Sequence, residues 1–272
     1  MTDTLKYISF GSGSSGNCYM LWNSTEALII DAGVGTRMLK KYFKDYGVSL
    51  PPLTSILITH DHADHVKCVG SLSHEHALSV YATLAVHNGI DKNVCVNRKI
   101  PNSLRHYVEY ERTVEIGSFR VTPFPVPHDS TDNVGYQVEW QGVNFVIITD
   151  AGCVTEAMAE HIRQADYLVL EANHDVEMLD NGPYPYILKQ RIKSDAGHLS
   201  NADCAKALIQ YATPRLRHVW LCHLSQENNH PVLAQKTVEQ LLREHGIVAG
   251  KDFEIDVLRR RGVTGCFAVH SY

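Results

Sequence analysis

Hydrophobic and polar positions along this chain follow two periods. Ala27 to Ile30, Ile56 to Ile58, Val143 to Ile148, Tyr167 to Leu170 and His218 to Cys222 are short apolar runs rich in β-branched residues, which predicts buried strands. Residues 5–10 and 18–22 read as two further strands around a Gly/Ser loop at 11–17. Phe119 to Pro123 reads as a period-two strand and Phe253 to Leu258 as a last one. Helical spacing appears at 36–46, with Met38, Leu39, Tyr42 and Phe43 on one face, and at 155–165, 201–212 and 232–244. Ser200 or Asn201 suits the start of the third helix, and Pro231 precedes the fourth. Between the histidine-rich stretch after Ile58 and Phe119, helix-like and strand-like pieces alternate. No repeat and no Pro/Gly-rich linker interrupts this alternation, so an α/β fold in a single domain over residues 1–272 is expected.

The apolar runs share a second property: each ends on ionisable or metal-ligating residues. Asp31 follows the first and Thr59-His60-Asp61-His62-Ala63-Asp64-His65 the second. Asp150, Glu171 and His223 follow the other three. α/β folds build sites in this way, from strand ends far apart in sequence. The densest stretch packs three imidazoles and two carboxylates into seven residues. Imidazole nitrogen and carboxylate oxygen suit zinc, manganese or iron. The spacing H-x-H-x-D-H offers two ligand pairs, His60 with His62 and Asp64 with His65, which suggests two ions. A solvated loop that merely happens to be rich in histidine rarely follows a buried strand at this density. His161, His174, His245 and His270 carry no pattern that assigns them a role.

Composition bounds the rest. At 44% apolar residues the chain has ample material for a core, and at a net charge of −5 it has no overall basic field to attract a polyanion. A nucleic-acid substrate would therefore be met by a local patch. Ser14, Ser15, Gly16 and Asn17 are candidates for holding a phosphate, and Arg259-Arg260-Arg261 is either a solvated edge or a second such contact. The loop is not a P-loop, because no Gly-Lys-Ser/Thr follows. The seven cysteines show no C-x-x-C spacing, so neither a disulfide framework nor a thiolate metal site is expected. The first residues lack a signal-peptide profile and no apolar run reaches membrane-spanning length, which points to a cytoplasmic location.

The histidine motif resembles the metallo-β-lactamase signature. The further motifs expected of that superfamily follow in order: Asp31 in Ile30-Asp31-Ala32-Gly33, His128 in Pro127-His128-Asp129-Ser130, Asp150 in Thr149-Asp150-Ala151-Gly152, and His223 in Cys222-His223-Leu224-Ser225. Within the superfamily, Gly11 to Asn17, Glu171-Ala172-Asn173-His174-Asp175 and Gly197-His198-Leu199-Ser200-Asn201 are similar to the YycJ/WalJ family, which is related to RNase Z-type nucleases.

The resemblance implies an αββα four-layer sandwich and a centre of two divalent ions, Zn or Mn. His60, His62 and His128 would hold one ion, Asp64, His65 and His223 the other, with Asp150 bridging. Asp31 would buttress the histidine loop without touching metal. Asp64, Glu171 and His198 form the implied catalytic set, with Glu171 and His198 acting together at the leaving group. His62 stands where flavodiiron relatives carry Glu, which makes redox chemistry a poor fit. There is no room between Asp150 and His223 for a β-CASP insertion, and no tRNA-gripping arm is recognisable. The implied activity is a phosphodiester hydrolase, a DNA exonuclease acting from 5′ ends. A small-molecule ester, thiolester or lactone hydrolase and a metal-binding regulatory protein without turnover are the alternatives. The pair Glu171 and His198 weighs against the first, and the complete ligand set against the second.

Overall fold

The computed structural model describes residues 4–269; His270 and the first three residues lie outside them. Among the described residues the chain forms fourteen strands and nine helices. It divides into two compact units, the first made of Met1–Arg120, Ser130–Asn133 and Arg259–Tyr272, the second of Val121–Asp129 and Val134–Leu258.

Within the first unit lie β1 (Leu5–Gly11), β2 (Cys18–Trp22), β3 (Glu26–Ile30), β4 (Leu53–Leu57), β5 (Ser79–Ala82) and β6 (Arg105–Tyr107), with β14 (Thr264–Val269) from later in the chain. They form one mixed sheet in the order β14-β1-β2-β3-β4-β5-β6. The pairs from β14 to β3 are antiparallel and those from β3 to β6 parallel. The helices are α1 (Thr36–Asp45), α2 (Ala63–Val66), α3 (Val69–His76) and α4 (Leu84–Lys92). Ile29, Ile56 and Val80 pack with Leu39 of α1, Val69 and Leu72 of α3 and Val86 and Ile90 of α4. Leu28, Ile30 and Leu57, which alternate with them, are buried as well, and this is why β3 and β4 read as unbroken apolar runs. Parallel register pairs Ile30 with Leu57, so Asp31 and the histidine loop leave the sheet at the same end.

The second sheet runs β13-β12-β11-β10-β9-β8-β7, built from β7 (Val114–Ile116), β8 (Phe119–Pro125), β9 (Val134–Trp140), β10 (Val143–Ile148), β11 (Tyr167–Glu171), β12 (His218–Cys222) and β13 (Glu254–Val257). From β10 to β13 the strands are parallel. α5 (Glu156–Gln164), α8 (Asn201–Tyr211) and α9 (Pro231–Glu244) cover Val146, Leu168 and Val219 with Met158, Ile162, Cys204, Leu208, Val238 and Leu242. Each fully buried Leu or Ile contributes roughly 1.5–3 kcal/mol, more than helix propensity can supply along these short segments. Two short helices, α6 (Val176–Asn181) and α7 (Tyr186–Ile192), lie between β11 and α8. Thr155, Asp175 and Ser200 cap α5, α6 and α8 through their side-chain oxygens.

The α/β class and the strand and helix positions agree with the pattern, with two departures. Glu171 is the last residue of β11 rather than the residue after it. Its neighbour Cys222 ends β12 in register with it. On α1 only Leu39 is buried, and Met38 is 43% exposed, so the apolar face is wider than the core it covers. All seven cysteines are free, and among the described residues no helix is long and apolar enough to cross a membrane.

Candidate metal centre

The predicted ligands divide between the units: His60, His62, Asp64 and His65 lie in the first, and His128, Asp150 and His223 in the second.

In the first unit the histidine loop follows β4 directly, and the four-residue α2 carries Asp64 and His65. Asp31, just beyond β3, is buried and organises the loop. Its carboxylate accepts from Thr59 N at 2.9 Å and from Thr59 Oγ1 at 3.0 and 2.9 Å, and it pairs with His65 Nδ1 at 2.7 Å. Thr59 Oγ1, having donated to Asp31, accepts from His60 Nδ1 at 3.0 Å. Both rings are thereby fixed in the tautomer whose Nε2 carries a lone pair, the form a metal ligand needs; in His65 that lone pair accepts from the Asn17 amide. The Asp31 carboxylate is engaged by Thr59 and His65. The three rings sit close, with His60 centroids 4.8 Å from His62 and 4.0 Å from His65. Asp61 faces elsewhere and accepts from Thr131 N and Oγ1.

Asn17 is buried, and its amide faces the candidate ligands Asp64 and His65. Its amide donates to Asp64 Oδ2 at 3.3 Å and to His65 Nε2 at 2.8 Å, and its Oδ1 accepts from Gly13 N at 2.7 Å. Of the loop residues, Ser14 is exposed and Ser15 half-buried.

In the second unit, parallel register aligns Ile148 with Leu170 and Glu171 with Cys222, which brings Asp150, Glu171 and His223 to one end of three neighbouring strands. Glu171 is fully buried with both oxygens engaged. Oε1 accepts from His198 Nδ1 at 2.8 Å and His223 Nδ1 at 3.0 Å, and Oε2 accepts from Ala151 N at 2.8 Å and Leu199 N at 3.2 Å. A carboxylate with four donors and no exposure is placed to orient the imidazoles it holds. Ligand atoms of Asp150, Glu171, His198 and His223 lie within 4.8 Å of one another, a spacing that suits a divalent cation. Asp150 Oδ1 is 3.3 Å from His223 Nδ1 and 3.8 Å from His128 Nε2. His128 donates from Nδ1 to the Gly197 carbonyl at 3.0 Å, so its Nε2 also keeps a lone pair.

Electrostatics reinforce these roles. Burial drives the His128 pKa down, only partly opposed by Asp150, and favours the neutral form that binds metal. Burial tends to raise Glu171, yet the His198 charge and the hydrogen bonds from His198 and His223 hold it below the usual carboxylate range. For His198 burial favours the neutral ring, but Glu171 and Asp150 outweigh it and raise the pKa.

Two backbone devices recur. Asp31, Asp150 and His223, each just past a strand end, adopt left-handed φ of 60°, 55° and 53°, a conformation uncommon outside glycine that clusters at functional sites. Both Asp-Ala-Gly segments also use glycine for close approach. A Cβ at Gly33 would lie 1.5 Å from Asp64 O, and one at Gly152 would lie 2.2 Å from Asp195 O. Sequence reasoning missed Thr59 and Asn173, whose amide donates to the His223 carbonyl at 2.8 Å. Both lie inside motifs that stood out, but neighbouring chemistry drew attention away from them.

The family model for the beta-lactamase superfamily domain matches residues 27–223. The chain is 36% identical over 250 residues to exodeoxyribonuclease WalJ of Streptococcus pneumoniae, covering 92% of this chain and 93% of the relative. It is 34% identical over 251 residues to exodeoxyribonuclease YycJ of Bacillus anthracis, covering 92% and 94%. The chain belongs to the WalJ/YycJ family of the metallo-β-lactamase superfamily. Solved structures agree on the fold. The metallo-β-lactamase fold protein YhfI of Bacillus subtilis superposes with a TM-score of 0.70 at 16% identity, covering 96% of this chain and 99% of that one. Human tRNase Z, short form, gives 0.61 at 18%, covering 96% and 98%. The WalJ/YycJ fold is thus a metallo-β-lactamase fold, and its superfamily implies a divalent metal held by histidines and aspartates of the kind found here.

Proposed function

We propose that this chain is a metal-dependent phosphodiester hydrolase that removes nucleotides from the 5′ ends of DNA, working in the cytoplasm. The observation that supports this best is the Glu171 carboxylate, which holds His198 and His223 through their Nδ1 atoms. His223, held in this way, offers Nε2 as a ligand. His198, 16% exposed at its side chain and raised in pKa, keeps a proton at Nε2 to give away. Phosphodiester cleavage expels an alkoxide that needs such a proton, whereas a lactone or activated ester has less use for it; general acids of this kind typically contribute 10²–10⁴-fold. The named activity of the WalJ and YycJ relatives points the same way.

In this reading His60, His62 and His128 hold one ion and Asp64, His65 and His223 the other, with Asp150 shared. All four of His60, His65, His128 and His223 direct Nδ1 at an acceptor, which fits the donor set to zinc or manganese. When bound, such ions supply Lewis acidity toward the phosphate and a water that ionises near neutral pH. The protein's own part is to fix the imidazole tautomers through Asp31, Thr59, Gly197 and Glu171, and to present the His198 proton at the leaving oxygen.

The test uses linear duplex DNA labelled at its 5′ end, covalently closed circles and a nitrophenyl phosphodiester, with wild type and His198→Ala. Short labelled products from linear DNA, persistent circles and a His198→Ala defect much larger on DNA than on the activated diester are expected. Rapid cutting of circles would refute the end requirement. Inertness toward nucleic acid alongside ester hydrolysis would refute the nuclease reading.

A further inference from the structure

The first unit contains a pocket that the metal chemistry does not use. Its cavity of about 330 Å³ is lined by Phe10, Val34, Met38 and Tyr42, with Ser15 and Gly16 of the Gly/Ser loop on one side and Arg260 and Arg261 on the other. Among the described residues no carboxylate lines it. The exposed part of the α1 apolar face, Met38, opens onto it, so this face is wider than the core beneath because part of it walls a cavity. Arg261 Nε donates to Ser15 Oγ at 2.9 Å, tying the arginine stretch to the loop. Two residues further along, at most about 7 Å of chain, Asn17 donates to Asp64 and His65.

We propose that this pocket is a nucleotide subsite, resting on the nuclease reading: it takes one nucleotide of the substrate strand, its base against Met38 and Tyr42 and its phosphate on Ser15, Arg260 and Arg261. An apolar, aromatic-bearing wall beside paired cations is the combination that binds single-stranded nucleic acid without reading sequence, because every base has a π-face and every phosphate a charge. It also gives an acidic protein a local basic contact close to its ligands, where a broad basic surface is missing. The size suits a single nucleotide and not a duplex, so the strand end must be unpaired at this point.

The geometry supplies its own test. Gly35 lines the pocket with ordinary dihedrals, φ −55° and ψ 134°, and a Cβ there meets nothing within 4 Å. Gly35→Phe should therefore fold normally and fill the space, while Arg261→Glu reverses a charge at an exposed position. Binding of deoxyadenosine 5′-monophosphate, deoxyadenosine and inorganic phosphate is measured by calorimetry on each protein, and KM and kcat are measured on 5′-labelled DNA. Wild type should bind the monophosphate more tightly than either part alone. Both variants should lose that binding about tenfold and raise KM by a similar factor, with the loss in KM rather than kcat. Equal KM in all three proteins while wild type degrades DNA overturns the pocket and leaves the nuclease reading intact. If wild type degrades no DNA, that reading fails, and the calorimetry still decides the pocket: monophosphate binding lost in both variants supports it, and no binding in wild type overturns it.

Discussion

At the scale of single residues the site works by burying charge only where it is paired, and His174 shows the cost of an exception. It lies three residues past Glu171, its side chain is buried and its Nδ1 has no hydrogen-bond partner. Burial pushes its pKa down to about 4; Glu171 and Asp203 oppose this, and His198 and Lys193 add to it. The folded-state value lies below the unfolded value of about 6.5, so between those two pH values the unfolded chain binds a proton that the folded chain refuses. Stability should therefore fall as pH drops from about 6.5 toward 4, by up to about 2 kcal/mol between 6.5 and 5 from this residue alone. Urea unfolding of wild type and His174→Gln across that range checks it: the variant should lose part of the slope, and parallel curves would refute the assignment. His198, far along the chain from His174 but paired to the Glu171 carboxylate, shifts the opposite way, which illustrates how strongly one partner decides an imidazole's state.

At the scale of elements, most of the candidate centre was legible because its residues are carried by strand ends. A run such as Val143 to Ile148 announces a buried strand, and the residues after it must then emerge where α/β sheets place their sites. The roles within the site were less legible. Asn17 reads as a phosphate contact in a Gly/Ser loop, yet Gly33 has no Cβ to keep Asp64 away, so this loop packs against the ligands and the amide turns inward. Met38 and Tyr42 read only as part of one helix face, because a period of 3.6 marks a face as apolar without saying whether protein or a cavity covers it. Glu171 reads as one partner of His198, and only the register with β12 reveals that it holds His223 too. Element ends also position the proposed proton donor, His198. Ser200 Oγ accepts from Asp203 N at 3.1 Å to cap α8, and its backbone bridges to His174, two residues from His198. Ser200→Ala should cost about 1 kcal/mol in chemical denaturation and lower kcat on DNA more than on an activated diester, because a frayed helix start loosens His198. An unchanged ratio between the two substrates would show that the cap serves stability alone.

At the scale of the whole molecule, the proposed ligands come from two compact units, and each unit has its own helix-side core. The sequence could not show that division, because the chain passes between the units more than once without a linker, and residues 130–133 belong to the first unit although they lie among residues of the second. The expectation of one domain becomes a proposal about coupling. Ions shared as proposed would bind only the folded state and hold residues of both units, so they should stabilise the whole chain by mass action, about 2.7 kcal/mol for an ion at one hundred times its dissociation constant. Metal-loaded protein should then unfold in a single transition, and chelation should lower its midpoint without changing the fold of either sheet. Asp150→Ala removes the shared carboxylate, so it should retain fewer than two ions by elemental analysis and unfold near the chelated protein. Two tightly held equivalents in that variant would refute the bridge, and two separate transitions in the loaded wild type would refute the single domain.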